Sequence, residues 1–186
     1  MKSWTRDLAL AGAWFVLDQA TKGLATWLLA DGPVVVIRGT LRLALSHNRG
    51  ALFGLGHGLG DPWRTLLLTV LPLLAVAGIT LFLVRIPERE RFARVGLALI
   101  LGGAAGNVLD RLVWGHVIDF IDVYAGWEPA MGWLVERFGT NRWPTFNIAD
   151  IGLVTGAGLL LVEAFRRRPA EEAGPAPDPA DVGDEA

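Results

Sequence analysis

The chain has 186 residues, of which 52% are hydrophobic and 19% are charged, and its mean hydropathy is +0.41. The length is that of one domain, but the composition is more apolar than that of ordinary soluble domains. The absence of cysteine excludes disulfides, thiolate nucleophiles and cysteine-ligated metals. The net charge is −2 and the arginines are scattered or lie beside apolar runs, so nothing indicates a nucleic-acid-binding surface.

Four apolar segments follow one another along the chain and are predicted to cross a membrane. The clearest, Leu66 to Val84, has 19 residues without a charge, close to the roughly 20 that span about 30 Å of hydrocarbon. The other three each contain a few polar residues. The predicted spans are 8–30, 66–84, 95–113 and 146–165. This pattern predicts an α-helical membrane protein with one four-helix domain over residues 1–168.

The distribution of basic residues predicts how these spans are oriented. Nine lysines and arginines lie in the short segments before span one, between spans two and three, and after span four. The two longer connecting segments, 31–65 and 112–145, hold six. Because cytoplasmic loops carry the excess of positive charge, we expect both termini in the cytoplasm and both long segments outside.

The first outer segment carries strand patterns. Val34 to Ile37 is a β-branched run, and Leu41 to Leu45 alternates in side-chain type. These patterns predict short strands, and therefore a small extracytoplasmic sheet between helices one and two.

The second outer segment contains apolar residues at helical spacing. Trp127, Met131, Leu134 and Phe138 fall at i, i+4, i+7 and i+11, which places them on one face of a short helix. Such a helix would lie in the membrane interface with its tryptophans at headgroup level. A loop packed on the sheet fits the same signal equally well, so both alternatives stay open.

The end of the chain differs from the rest in composition. Residues 169–186 carry six acidic residues, no lysine or arginine, and many prolines and alanines. This composition predicts a disordered, solvated acidic tail in the cytoplasm.

Ionisable residues of the predicted spans share one depth. Lys22, Asp110 and Asp150 each lie 16 residues from a basic residue at the cytoplasmic end of the same helix. At 1.5 Å per residue this is about 24 Å, near the outer edge of the hydrocarbon. Charges within spans are costly and usually mark function. The polar residues predicted to reach this layer are Asp18, Lys22, Asn107, Asp110, Arg111, Asp119, Asp122, Asn147 and Asp150.

Two interpretations of this layer are possible. It could consist of structural ion pairs, such as Lys22 with Asp18, or Arg111 with Asp110 or Asp119. However, five carboxylates meet two cations in the layer, so at least one carboxylate faces solvent or is protonated. Two carboxylates that share a proton are the arrangement of aspartic proteases. The spans contain no serine and the chain has no His-Glu-x-x-His, so a hydrolase would have to use paired aspartates.

Five sequence blocks within these segments are recognisable together, although each is weak alone. With them, the chain resembles the lipoprotein signal peptidase (signal peptidase II) family of bacterial inner-membrane aspartic proteases. The resemblance runs from Asp18 to Gly156. The blocks are Asp18–Lys22 (DQATK), Asn48–Gly54 (NRGALFG), Gly102–Arg111 (GGAAGNVLDR), Gly115–Phe120 (GHVIDF) and Phe146–Asp150 (FNIAD).

The resemblance implies a set of functional residues. Asp119 and Asp150 match the catalytic aspartates of the family. Asp122 lies outside the blocks, and we expect it to be a solvated loop carboxylate. The implied substrate-binding or supporting residues are Asp18, Lys22, Asn48, Gly50, Asn107, Asp110, Arg111 and Asn147.

The resemblance also implies a fold and a reaction. The fold is four spans with a small extracytoplasmic β-cradle, and the reaction is cleavage of lipidated prolipoproteins just before the diacylglyceryl-cysteine. Membrane lipids are the other implied partners, no metal or organic cofactor is implied, and a monomer suffices. One aspartate would act as general base and the other as general acid, but which one starts ionised stays open.

Two other functions fit parts of the pattern. A small proton- or ion-coupled transporter would also use intramembrane aspartate and lysine, but the charges lie at one edge and no inverted repeat is present. A non-catalytic lipoprotein-binding scaffold would keep the fold, although the presence of both Asp119 and Asp150 argues against it.

Overall fold

A computed structural model describes residues 3–50, 60, 63 and 65–171, with side chains described up to residue 166. Residues 51–54 of the second block and most of the predicted tail lie outside these ranges. The helices and strands of the described part are α1 (Ser3–Leu28), β1 (Val34–Ile37), β2 (Leu41–Asn48), α2 (Leu66–Arg85), α3 (Arg91–Trp114), β3 (Val117–Val123), α4 (Ala130–Phe138) and α5 (Ile148–Glu171).

Three of the described helices are long and apolar enough to cross a membrane. They are Leu66–Arg85, Arg91–Trp114 and Ile148–Arg166, which correspond to the second, third and fourth predicted spans. Helix α1 has 26 residues, but Asp18, Gln19 and Lys22 interrupt its apolar run, and it is not among the three.

Helix α3 lies at the centre of the bundle, and glycines bring α1 close to it. A Cβ added at Gly102 would overlap the backbone of Ala11, and one added at Gly106 would overlap the carboxylate of Asp18. Because the residue numbers of the contacts increase in the same direction along both helices, α1 runs parallel to α3. The ends of α1 and α3 therefore lie at the same end of the bundle.

Glycines also bring α5 against α3. A Cβ at Gly103 would overlap the backbone of Ala149, whereas Gly96 and Gly156 face each other further along. Here the residue numbers increase along one helix and decrease along the other, so α5 runs antiparallel to α3. The start of α5 consequently lies beside the ends of α1 and α3, and this common end carries the polar residues of the predicted layer.

The three strands form an antiparallel sheet in the order β1–β2–β3. In the pairing of β2 with β3, Ser46 lies opposite Asp119 and Asn48 lies opposite Val117. The sequence predicted the first two strands but not the third, which follows α3. Gly115, with a φ of 73°, ends α3 in the left-handed conformation that glycine favours and turns the chain into β3.

Residues 125–143, which contain α4, leave the end of β3 and return to it, and we call this segment the excursion. The Ala125 N–H donates to the Asn141 carbonyl and the Trp143 N–H donates to the Val123 carbonyl, each at 2.9 Å. Residues 142–146 thus run back along β3 towards α5. The predicted helix is confirmed for Met131, Leu134 and Phe138, whereas Trp127 lies before its first residue. The position of the helix relative to the membrane stays a prediction.

Candidate active site

Helix α5 begins with a reciprocal cap that fixes Asp150. The side-chain Oδ1 of Asn147 accepts the Asp150 N–H at 3.1 Å, and Oδ2 of Asp150 accepts the Asn147 N–H at 3.1 Å. This is a capping box with asparagine and aspartate in place of the usual serine and glutamate. The second oxygen of Asp150 is left to accept Nδ2 of Asn107 at 3.0 Å.

Asp119 lies on β3 with only 2% of its surface exposed. Its Oδ1 accepts Nδ2 of Asn147 at 2.8 Å, and its Oδ2 accepts Nδ2 of Asn48 at 3.0 Å. Asn48 reaches it diagonally across the sheet, because its direct partner on β3 is Val117.

The two aspartates are joined through amide side chains. Asn147 contacts both of them, and its Nδ2 also donates to Oδ1 of Asn107 at 3.1 Å. Neutral amides orient a carboxylate without fixing its charge, unlike a lysine or arginine in direct contact. The arrangement therefore allows either aspartate to hold a proton.

The electrostatic environment favours a proton on Asp119. Burial raises the pKa of Asp119 to about 7, the hydrogen bond from Asn48 opposes this rise, and the charge of Asp150 adds to it. Near neutral pH, Asp119 can thus serve as an acid. A carboxyl group with a perturbed pKa beside a second carboxylate in a cavity is typical of acid–base catalysis.

A second cluster, formed by Asp18, Lys22 and Asp110, lies behind the two aspartates. Lys22 Nζ contacts carboxylate oxygens of Asp18 and Asp110 at 2.8 Å each, and Oδ1 of Asn107 at 2.9 Å. All three donors of the ammonium group are therefore used, and all three charged side chains are buried. Gln19 Nε2 links the two carboxylates at 3.1 and 3.0 Å.

This triad of Asp18, Lys22 and Asp110 holds the backbone next to each candidate catalytic residue. Oδ1 of Asp18 accepts the N–H of Ala149 at 2.9 Å, immediately before Asp150. Oδ2 of Asp110 accepts the N–H of Ile118 at 3.1 Å, immediately before Asp119. One buried lysine thus ties together the two carboxylates that fix the start of α5 and the start of β3.

Arg111 and Gly50 hold the end of β2. Arg111 donates to the carbonyl of Gly50 at 3.2 Å, and the Gly50 N–H donates to Oδ1 of Asn48 at 2.9 Å. These contacts orient the Asn48 amide that donates to Asp119. The predicted ion pair of Lys22 with Asp18 is confirmed, whereas the cation paired with Asp110 is Lys22 and not Arg111.

The prediction for Asp122 is wrong. Asp122 is 3% exposed and lies on β3, where its Oδ2 contacts Arg42 at 2.5 Å and Arg142 at 2.6 Å. Asp119 and Asp122 are three residues apart on a strand, so they point to opposite faces of the sheet. Asp122 therefore takes no part in the site around Asp119.

A cavity of about 640 Å³ opens onto this site. Its polar end carries Asn48, Asn107, Arg111, Asp119 and Asp150. The rest of its wall is mainly apolar and comes from α2, α3 and α5, with Leu68, Leu71, Pro72, Ala75, Ile79, Ile100, Ala104 and Leu153. The cavity can therefore hold a molecule with a polar bond to be cut and a long apolar part.

All ten predicted site residues belong to this cavity or to the network behind it. Gln19 and the arginine pair at Asp122 were not singled out from the sequence. For Gln19, the signal is a further polar residue between Asp18 and Lys22 in an otherwise apolar helix. For Arg42, no local signal exists, because its contact with Asp122 depends on the register of β2 against β3.

Known proteins are similar to this chain over most of its length. A family model described as signal peptidase (SPase) II matches residues 10–166. A lipoprotein signal peptidase of Ralstonia nicotianae is 39% identical over 160 residues, covering 86% of this chain and 84% of the relative. One from Aeromonas hydrophila is 36% identical over 176 residues, covering 94% and 96%.

The fold is also found among solved structures. A bacterial membrane enzyme determined in meso at 2.3 Å has a TM-score of 0.68 and 22% identity, covering 94% of this chain and 93% of its own. A second, at 1.9 Å, has a TM-score of 0.63 and 24% identity, covering 85% and 91%. The sequence blocks, the matched family model and the relatives agree, and the chain belongs to the signal peptidase II family.

Proposed function

We propose that this protein is a membrane aspartic endopeptidase that removes the signal peptides of lipidated bacterial prolipoproteins, cutting before the diacylglyceryl-cysteine. Membership of the signal peptidase II family supports this activity. The single observation that carries the mechanism is the placement of Asp119 and Asp150 in one amide network at the polar end of a largely apolar cavity. Such a cavity suits a substrate that combines a peptide bond with acyl chains.

In the proposed mechanism, Asp119 starts protonated and Asp150 starts ionised. Asp150 lies in the first turn of α5, where the helix dipole favours negative charge. It takes a proton from a water molecule, whose oxygen attacks the scissile carbonyl carbon, while the Asp119 proton stabilises the developing oxyanion. The Asp150 proton then passes to the leaving nitrogen as the carbon–nitrogen bond breaks.

The remaining site residues would position these two groups. Asn48, Asn107 and Asn147 orient the carboxylates through neutral amides, and Arg111 with Gly50 orients Asn48. Asp18 and Asp110, held together by Lys22, fix the backbone that precedes each aspartate.

We further propose that α1 is the fourth membrane span and that the sheet is the β-cradle on the outer side of the inner membrane. The distribution of basic residues supports cytoplasmic termini, and hence a site near the outer leaflet. Lipid chains that stay in the bilayer would then hold the substrate cysteine at the depth of the aspartates. A monomer contains every residue that this mechanism uses.

The test is cleavage of a synthetic lipopeptide by the purified full-length chain. The substrate carries a signal sequence and a diacylglyceryl-cysteine, and its matched control has the same sequence with an unmodified cysteine. We expect cleavage before the lipidated cysteine and little or none in the control. Lipopeptide that binds but stays intact would support a scaffold, and equal cleavage of both peptides would contradict the assigned substrate class.

A further inference from the structure

Tryptophan is concentrated at the catalytic end of the molecule. The chain has eight tryptophans, and six of them lie at this end: Trp27, Trp63, Trp114, Trp127, Trp133 and Trp143. Each of the six has 49% or more of its surface exposed. Three lie at or just beyond the ends of α1, α2 and α3, and the other three belong to the excursion that contains α4.

Helix α4 exposes large apolar side chains instead of burying them on the sheet. Val135 is 47% exposed, Phe138 is 62% exposed, and the Trp133 ring packs edge-on against Phe138 at a centroid distance of 5.7 Å. No residue of α4 is buried. The helix therefore presents an apolar surface that the described part of this chain does not cover.

The excursion is nevertheless attached firmly at its base. Arg142 contacts Asp122 on β3, and the Trp143 N–H donates to Val123. The next two residues, Pro144 and Thr145, line the cavity. Only five residues separate the end of α4 from Pro144, so the position of α4 affects the position of this wall of the candidate active site.

We propose that α4 lies in the headgroup region of the outer leaflet and binds the lipid surface through the face that carries Val135 and Phe138. In this position it holds the Pro144–Thr145 wall of the cavity at the boundary from which a lipidated substrate enters. The inference rests on the proposed membrane orientation and extends it to a segment outside the spans.

The aromatic residues at the helix ends favour lipid over a protein partner as the occupant. Trp27, Trp63 and Trp114 flank three helices at their common end, as in the aromatic belts that mark a membrane–water boundary. The tryptophans of the excursion continue this belt beyond the bundle. An amphipathic helix with aromatic residues on its apolar surface is also the usual form of an interfacial anchor.

The test uses the absence of native cysteine, which allows one fluorophore to be attached at a chosen site. Phe138→Cys and Glu136→Cys, labelled with a nitrobenzoxadiazole dye and reconstituted in liposomes, form a matched pair. Two residues apart on a helix are on nearly opposite faces. Leu74→Cys, exposed on α2, serves as the reference for a lipid-facing site.

With phospholipids spin-labelled near the headgroup, we expect several-fold stronger quenching at position 138 than at position 136. Equal quenching at the two positions, weak or strong, would overturn the proposal. Weak quenching at 138 together with a blue-shifted emission would also overturn it, because a protein surface would then cover this face.

A functional measurement accompanies the quenching experiment. The double variant Val135→Ser, Phe138→Ser should raise KM for the lipopeptide in liposomes several-fold and leave kcat unchanged, since the aspartates are untouched. An unchanged KM would contradict a role in substrate entry. The quenching result does not depend on cleavage, so it stands or falls separately from the proposed enzymatic function.

Discussion

At Asp119, burial and the Asn48 amide act in opposite directions on the carboxyl proton. Burial favours the neutral acid and brings the pKa to about 7, while the hydrogen bond from Asn48 favours the carboxylate. If Asp119 is the acid, the active form is lost as the pH rises through this pKa. The alkaline limb of the profile of kcat/KM against pH should therefore fall near pH 7.

Replacing Asn48 by alanine removes a hydrogen bond that stabilises the charged form of Asp119. The pKa of Asp119 should rise further, and the alkaline limb of the profile should move to higher pH. The measurement is kcat/KM for the lipopeptide over a pH series, with wild type as reference. A shift of this limb to lower pH would contradict the role given to Asn48.

Asp122 is three residues from Asp119, and on a strand this spacing places the two side chains on opposite faces of the sheet. Its carboxylate is buried between two guanidinium groups, and both arginines also lie near the ring of Tyr124. Asp122→Asn should therefore reduce stability by about 1–3 kcal/mol, as expected for a lost hydrogen bond to a charged group. Thermal unfolding in detergent measures this loss.

For the Asp122 prediction, the control is Arg142→Gln. Arg142 is 41% exposed and Asp122 keeps Arg42 as a partner, so the control should lose less stability. The kcat of Asp122→Asn below its unfolding temperature should stay near that of wild type. A large fall in kcat with unchanged stability would place Asp122 in the reaction instead.

Much of the candidate site could be predicted from residue types alone. Aspartate, lysine and asparagine inside apolar helices are costly, so their presence in a predicted span indicates a functional site. The residues identified in this way are Asp18, Lys22, Asn107 and Asp150. What the sequence could not give is the partner of each group. The contact of Lys22 with Asp110 depends on helix packing, and the opposite directions of Asp119 and Asp122 depend on β3.

Among the elements, helix α5 has a first turn that is fixed by side chains from two segments. Its first turn is held by Asn147 from within and by Asp18 from α1, so two N–H groups that would lack helical partners are satisfied. This explains why a polar block stands at the beginning of an apolar helix. The same block that begins the helix also supplies Asp150.

The packing of α1 on α3 depends on Gly106. A methyl group there would overlap the Asp18 carboxylate, which has to keep its contacts with Lys22 and Ala149. Gly106→Ala should therefore lower the unfolding temperature and reduce activity, although alanine favours helices more than glycine does. Both properties are measured on the purified variant.

Gly78 in α2 provides the matched control, because nothing lies within 4 Å of a Cβ added there. Gly78→Ala should leave stability unchanged or raise it by up to about 1 kcal/mol. If the two variants behaved alike, close packing at Gly106 would not be needed to hold Asp18.

The helices were predicted more completely than the sheet. Spans two to four were predicted to within a few residues, because each contains a long, mainly apolar run that is close to the length needed to cross a membrane. Strand β3 was missed because Val117–Val123 carries two aspartates within an otherwise apolar run. Its assignment requires pairing with β2, and the paired residues Asn48 and Val117 are 69 positions apart in the sequence.

For the whole molecule, the charge distribution predicts a single orientation in the membrane. A reporter enzyme that works only in the cytoplasm should be active when it is fused after Arg168. An epitope inserted at Gly139 should be accessible to antibody from the periplasmic side of spheroplasts. Gly139 lies in the exposed turn after α4. Finding both tags on one side would contradict the layout, and with it the depth proposed for the site.

The cleavage rate of Asp119→Asn and Asp150→Asn tests the central claim most directly. Asparagine keeps the shape of aspartate but cannot transfer a proton, so each variant should lose about 10² to 10⁴-fold in kcat while still binding the lipopeptide. The double variant should be little worse than either single variant, because the two groups act as a unit. Wild-type rates in both single variants would contradict the aspartic mechanism.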